Sequence, residues 1–187
     1  MDRHRSLIDL LCADRRAAEL ATHPFDFNPD FYEHVEPVRL ASGAALEGIG
    51  KDAGGGSFFL CGEGGDERPV LYADSEGSAG IVGTSLPAAL RLIIGAPCRG
   101  EALREIERAG RDFDDRETEA LLASLDAEYS EDCGLEDLAG DRAELAARLG
   151  LAPLPSAARL LAMTREATAL SPSYALLNEE GGAYDRL

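Results

Sequence analysis

Three histidines and four cysteines carry the readiest nucleophilic and metal-binding chemistry in this chain of 187 residues. Their spacing assembles none of it. His4, His23 and His34 all fall near the N-terminus, and no HExxH sets two imidazoles on one helix face. A surface or helix-end role is expected for each. Cys12, Cys61, Cys98 and Cys133 lie far apart, with no CxxC and no His at ligand spacing. Cys61 precedes Gly62-Glu63-Gly64-Gly65, which sets a thiol beside a carboxylate. With no His near it in sequence to act as base, it reads as a core cysteine. No apolar leader follows Met1, so the chain reads as cytoplasmic, its four cysteines reduced, structural and buried.

Phosphate chemistry fares no better. Gly48-Ile49-Gly50-Lys51-Asp52-Ala53 matches GxGxxG/A in form. That pattern works only between a buried strand and a helix whose N-terminus meets a pyrophosphate. Here Gly54-Gly55-Gly56 follows, which opens no helix, so a hairpin loop is expected. Lys51 is followed by Asp52 rather than a hydroxyl residue, so there is no GK[ST] loop, and no GxSxG elbow occurs. No metal, nucleotide or other cofactor is expected.

Carboxylates are the abundant reactive groups. With 35 acidic against 18 basic residues the net charge is -17. This argues against a grip on DNA or RNA, which needs cations facing phosphate, and against an anionic membrane surface. It suits a basic protein partner. Lys51 is the only lysine, a bias that a GC-rich bacterial genome explains more simply than function. Between Asp112 and Glu144 thirteen acidic residues face two arginines, Arg116 and Arg142, so the segment carries -11 of the -17. A helix over Asp115 to Tyr129 would carry the apolar stripe Leu121, Leu122, Leu125 and Tyr129. Asp115, Glu119 and Asp126 would line one edge of it and Glu117 and Glu128 the other. Such a face is either merely solvated or matched to a basic partner. On the second reading the docking residues are Glu63, Asp66, Glu67, Asp74, Glu76, Asp115, Glu119 and Asp126, with Glu119 and Asp126 expected to be exposed.

The elements that must position these residues follow from periodicity and punctuation. Ser6 to Ala21 repeats leucine and alanine at helical spacing and reads as one helix. Asn28-Pro29 resembles a helix cap, predicting one or two turns through Phe31, Tyr32 and Val35. The aromatics Phe25, Phe27, Phe31 and Tyr32 are expected in the core. Short strands are predicted at Val38 to Leu40, Leu46 to Ile49, Ser57 to Cys61, Pro69 to Ala73 and Ala79 to Val82. Short connections between them imply an antiparallel meander. Within it Phe58 and Leu60 share one face and Phe59 and Cys61 the other. Thr84 or Ser85 then caps a helix whose face of Leu86, Leu90, Ile93 and Ile94 is expected on the sheet. Further helices are predicted at Glu101 to Ala109, Asp115 to Tyr129, Leu135 to Leu149 and Ser156 to Leu170. Tyr174 to Leu177 is a candidate edge strand. No run is long enough to span a membrane.

The fold class is therefore α+β: an antiparallel β-meander of four to six strands, with helices before it, on it and after it. Residues 1–98 form the core with its N-terminal helices. Residues 99–187 form an acidic helical extension packed on the same domain.

Three stretches carry a resemblance. They are Gly54-Gly55-Gly56-Ser57-Phe58-Phe59-Leu60, Val70-Leu71-Tyr72-Ala73-Asp74-Ser75-Glu76-Gly77, and Ile81-Val82-Gly83-Thr84-Ser85-Leu86-Pro87-Ala88-Ala89-Leu90. Together they resemble the SUKH superfamily, the Smi/Knr-type proteins, which include fungal cell-wall-synthesis regulators and many bacterial relatives. The shared features are a glycine leading into an aromatic-apolar strand, a strand ending in an acidic turn, and a strand leading into a helix near a Ser-Leu pair. The match spans about Val38 to Ile94 and excludes Gly100 to Leu187. The chain departs from it in having no Trp. Many bacterial members look like immunity proteins that neutralise toxins, often nucleases or deaminases. The resemblance thus implies a non-enzymatic binding protein, with no catalytic residues to carry over. The alternatives are a Smi/Knr-like intracellular regulator or scaffold, and an uncatalogued enzyme. A deep pocket lined by convergent polar groups would favour the enzyme.

Overall fold

The computed structural model describes residues 6–31 and 33–187. In chain order the elements are α1 (Leu7–Ala13), α2 (Arg15–Thr22), β1 (Arg39–Leu40), β2 (Leu46–Lys51), β3 (Ser57–Cys61), β4 (Val70–Ala73) and β5 (Ser78–Gly83). Then come α3 (Leu86–Gly95), α4 (Arg99–Ala109), α5 (Asp115–Asp132), α6 (Leu138–Arg148), α7 (Ala157–Thr168), β6 (Leu176–Leu177) and β7 (Asp185–Arg186). This is an α+β fold.

Strands β2 to β5 form the expected antiparallel meander, in register Phe58 opposite Tyr72 and Leu60 opposite Val70. Because side chains alternate across a pleat, β3 feeds two cores at once. Phe58, Leu60 and Val70 join Leu86, Leu90, Ile93 and Ile94 of α3 and Leu20 of α2 on one face. Phe59, Cys61, Leu71 and Ala73 join Ile81, Ala167 and Leu176 on the other. The passage from β5 to α3 is tight. A Cβ on Gly83 would lie 2.6 Å from the backbone nitrogen of Ala89, so only glycine lets strand and helix meet there. Ser85 accepts a hydrogen bond from the Ala88 N–H and caps α3, with Pro87 in its first turn. A third core of Leu92, Ala102, Ile106, Leu122, Leu160 and Leu161 fastens α4, α5 and α7 to α3.

Several expectations are corrected. The helix predicted over Ser6 to Ala21 is two helices. Asp14 leaves helical geometry (φ -104°, ψ 101°) and accepts hydrogen bonds from the Arg16 and Ala17 N–H groups. An aspartate gains more as a cap than inside a helix, so it restarts the chain there. Among the described residues no helix follows Asn28-Pro29. Asn28 instead bridges Lys51 at the end of β2, and its side chain accepts from the Asp30 N–H in a local turn. Phe31, Glu33 and Val35 beyond it are exposed. Phe25 and Phe27 are buried at 1% exposure each, whereas Phe31 is 65% exposed and Val35 is 59% exposed. Tyr32 and His4 lie outside the described residues. Cys61 and Cys98 are buried, but Cys12 and Cys133 are exposed at helix ends rather than in the core.

The meander also loses its first member. β1 pairs with β6 of the C-terminal segment in a separate two-stranded sheet, and β7 adds to β5 in parallel. The outer edge of β5 is finished by side chains: Ser171 accepts from the Ile81 N–H, and Thr168 donates to the Ile81 carbonyl. Hydroxyls thus satisfy backbone groups that a longer strand would otherwise need to pair.

Candidate functional site

One end of the meander meets the helical extension across a cleft of about 1090 Å³. It is assembled from the β2–β3 hairpin outward. The Gly56 N–H donates to Asp52 Oδ1 at 2.7 Å, which folds the hairpin over its own carboxylate. Tyr72, opposite Phe58 on β4, lies against Gly56, where any side chain would collide with its ring. That room lets the Tyr72 hydroxyl donate to Asp52 Oδ2 at 2.5 Å. The Ala53 N–H donates to Asp26 Oδ1 at 2.7 Å, so the same hairpin gathers a second carboxylate from the loop after α2. Asp26 sits at φ +52°, the left-handed region that aspartate tolerates better than most residues.

The opposite wall is helical. The N-terminus of α4 brings Cys98, Arg99 and Gly100 to the cleft, and Cys98 supplies no side-chain cap to that helix. α5 contributes Leu125, Glu128, Tyr129 and Asp132, and the Tyr129 hydroxyl donates to the Pro24 carbonyl at 2.6 Å, closing one end. Arg165 of α7 and Arg186 of β7 line the remaining side.

The electrostatics of the walls are uneven. Burial pushes the Asp26 carboxyl above its ordinary range, with nearby Asp52 adding to the effect and the Ala53 N–H opposing it. Burial likewise raises the Tyr72 phenol, reinforced by its bond to Asp52. It pushes the Cys98 thiol up to about 11. Arg99 makes no side-chain hydrogen bond or ion pair among the described residues. Burial of its guanidinium lowers its pKa, against the pull of Tyr72, Asp26 and Asp52.

The eight residues proposed from sequence fall in separate places. Glu63, Asp66 and Glu67 lie on the β3–β4 connection, whereas Asp74 and Glu76 lie on the β4–β5 turn at the other end of the strands. Asp66 is occupied: it accepts from the Ser6 hydroxyl and the Leu7 N–H and so anchors α1. Asp74 lines the cleft and accepts from the Glu76 and Ser78 N–H groups. Asp115 is exposed at the start of α5, about 20 Å along the helix from Glu128.

Glu119 and Asp126 are not the exposed docking residues expected. Glu119 is half-buried and accepts from the Ala158 N–H in the first turn of α7. Asp126 is half-buried against Arg142, 2.7 Å away, and its Oδ1 has no hydrogen-bond partner among the described residues. Both hold α5 to its neighbours. A helix packed on two sides has less solvent face than its charge pattern suggests. Other acids of the segment are also occupied. Asp114 and Asp137 cap helices, Glu117 pairs with Arg111, and Asp141 and Glu144 pair with Arg16.

The cleft's Asp26, Asp52, Tyr72 and Arg99 were not singled out from sequence. Each is ordinary in its local context, and only contacts across 20 residues or more bring them together. His34 corrects a different expectation. It is neither a helix end nor a free surface group. Its Nδ1 lies 2.9 Å from the Ser57 hydroxyl and its Nε2 lies 3.0 Å from the Tyr184 hydroxyl, which donates to Glu36. Ser57 is fully buried, so this serine–histidine pair offers no accessible nucleophile. His23 does end a helix, as the C-cap of α2.

No protein-family model, curated protein or solved structure matches the chain. Among the described residues no group of three or more His, Cys, Asp or Glu is arranged to hold a metal ion. None of the described helices is long and apolar enough to cross a membrane.

Proposed function

We propose that the chain is a non-enzymatic protein-binding module of the SUKH type, which neutralises a toxin, a nuclease or deaminase, by acidic-surface docking. The observation that supports this reading is the charge on the rim of the cleft. Glu128 and Asp132 line the cleft, are exposed on the last turns of α5 and make no ion pair among the described residues. Asp26 and Asp74 face them across the opening. An enzyme that attacks nucleic acid carries a basic substrate groove, and a carboxylate rim both steers such a groove in and rejects acidic competitors. The docking set is therefore Asp26, Asp74, Glu128 and Asp132, with Glu76 beside them on the β4–β5 turn, and Glu63, Asp66, Glu67, Asp115, Glu119 and Asp126 are withdrawn from it.

The test is co-expression with a nuclease or deaminase toxin, beginning with any encoded beside this chain. The wild-type chain is expected to restore growth, and the double variant Glu128→Lys, Asp132→Lys to lose that rescue while remaining folded. Full rescue by the double variant, or none by wild type, would sink the reading.

The convergent polar groups of the cleft favour an enzyme as the second reading. Against it, the nucleophile candidates there are shifted the wrong way. Cys98 and Tyr72 are both held in their protonated forms, which are poor nucleophiles.

A further inference from the structure

Of the large apolar side chains exposed among the described residues, the two most exposed belong to one segment: Phe31 at 65% and Val35 at 59%. That segment is fastened on both sides of Phe31. Asn28 exchanges two backbone hydrogen bonds with Lys51, at 2.8 and 3.0 Å. His34 Nδ1 meets the Ser57 hydroxyl at 2.9 Å. Lys51 and Ser57 face each other across the β2–β3 pair, so the two fastenings are neighbours and Phe31 lies on the excursion between them. Further on, His34 and Glu36 both reach the Tyr184 hydroxyl, while Val35 between them is turned outward. Backbone anchored to the sheet thus presents both apolar side chains. An aromatic held in this way loses less freedom on binding than one on a free loop.

The same end of the meander is acidic. It carries the β2–β3 and β4–β5 turns, and there Ser78 at the start of β5 pairs with Asp185. Asp30, Glu33, Glu76 and Asp185 are exposed and make no ion pair among the described residues. The cations of these elements are Lys51, which is half-buried, and Arg186, which lines the cleft. We infer that a protein partner is held at this end, with Phe31 and Val35 entering an apolar socket whose rim carries arginine or lysine. The inference rests on the proposed reading of a basic protein partner and adds the contact that keeps it bound. Charge decides among the occupants. A second copy of this chain would set these carboxylates against their own kind, and an anionic bilayer would repel them. A basic rim gains at the carboxylates while the socket takes Phe31. Exposed charges then set the rate of encounter, and the buried aromatic anchor sets the rate of escape. The Ala53 N–H of the β2–β3 turn holds Asp26, two residues before Asn28, so this segment adjoins the cleft rim and one partner can cover both.

The test is binding kinetics of the full chain against a nuclease or deaminase toxin domain that wild type neutralises on co-expression. Phe31→Ser is expected to raise the off-rate at least about tenfold and Val35→Ser about threefold, with on-rates changed less than about twofold. Leu170→Ser alters an exposed leucine beyond α7 and is the control, expected to leave both rates unchanged. Asp30→Lys with Glu33→Lys is expected to slow association, and to slow it less at high salt. Every one of these substitutions replaces an exposed side chain, so each variant is expected to fold. Wild-type off-rates for both Phe31→Ser and Val35→Ser would overturn the inference and leave the toxin reading standing. Failure of wild type to neutralise any such toxin would instead remove the reading, and this inference with it. Sedimentation of the chain alone is expected to show no association that Phe31→Ser abolishes. Such association would seat a second copy on this segment and overturn the basic partner.

Discussion

The two ends of the meander are equally acidic and are used differently. At one end, the β3–β4 connection from Glu63 to Glu67 turns Asp66 inward to hold the first N–H of α1. At the other, the β2–β3 and β4–β5 turns bring Asp26, Asp52 and Asp74 to a cleft wall facing Arg99. The first end spends its central carboxylate on local structure. The second ties Asp52 and Asp74 into its own turns as well, but keeps Asp26 exposed to the cleft, with a partly buried arginine among the other lining residues. Acidic clusters that look alike in sequence thus differ in what their carboxylates already touch. The α5 segment repeats the lesson within one helix. Asp126 and Glu119 are fastened to Arg142 and to the Ala158 N–H, while Glu128 and Asp132, two and six residues beyond Asp126, reach the cleft.

The largest expected effect joins the two ends. Phe58 sits at 1% exposure, its ring centroid 5.1 Å from that of Phe27 and 4.9 Å from that of Tyr72. Truncation to alanine removes the support beneath the cleft hairpin. It is expected to cost about 3–5 kcal/mol of unfolding free energy in chemical denaturation. A cost below about 1 kcal/mol would mean the ring is not the keystone described here.

A smaller effect separates the ends. Asp66→Ala is expected to lose about 1 kcal/mol, because it leaves the start of α1 without its acceptor. Asp26→Asn is expected to leave the denaturation midpoint nearly unchanged, since Asp26 is exposed, only partly desolvated by its surroundings, and makes a single hydrogen bond, to the Ala53 N–H. The reverse ranking would make Asp26 the structural residue and Asp66 the free one.

The smallest effect concerns the clasp on the segment that closes the cleft's far side. Burial lowers the pKa of His34 below 6.5, so the folded state prefers the neutral ring between Ser57 and Tyr184. The nearby charges divide: Lys51 acts in the same direction, Glu36 and Asp74 against it. Below 6.5 the unfolded chain binds a proton before the folded one does. The stabilisation is therefore present above that pH and lost as the pH falls toward the depressed folded value. Hydrogen exchange at Tyr184 to Leu187, corrected for its intrinsic pH dependence, is expected to quicken modestly between about pH 7.5 and 5.5. His34→Gln is expected to flatten the change. Equal protection at both pH values in wild type would remove His34 from the clasp.

What was legible in the sequence had a short-range cause. Ser57 to Cys61 is bounded by glycine on both sides and became β3 residue for residue. Ser85 and Pro87 marked the start of α3, and the alternation of Phe58 and Leu60 with Phe59 and Cys61 assigned the two sheet faces. The Asp14 break was hidden because leucine and alanine keep helical spacing across it, while the decisive bonds are local ones the periodicity does not report. The parallel pairing of β7, the use of β1 by β6, and the whole cleft depend on contacts between distant segments. No spacing rule reaches from Asp26 to Ala53 or from Pro24 to Tyr129.

Association kinetics test the central claim most directly. Two charge-reversed chains, Glu128→Lys with Asp132→Lys and Glu63→Lys with Glu67→Lys, would be compared with wild type against the basic toxin domain proposed as partner, at low and high salt. All four positions are exposed, so both variants are expected to fold. Docking at the cleft predicts a wild-type on-rate that falls steeply as salt rises, because exposed charges are screened beyond roughly 8–10 Å at 0.1–0.15 M ionic strength. It predicts a marked slowing for the Glu128/Asp132 variant and a near-native on-rate for the Glu63/Glu67 variant. Equal slowing in both, or on-rates indifferent to salt and to either reversal, would contradict it.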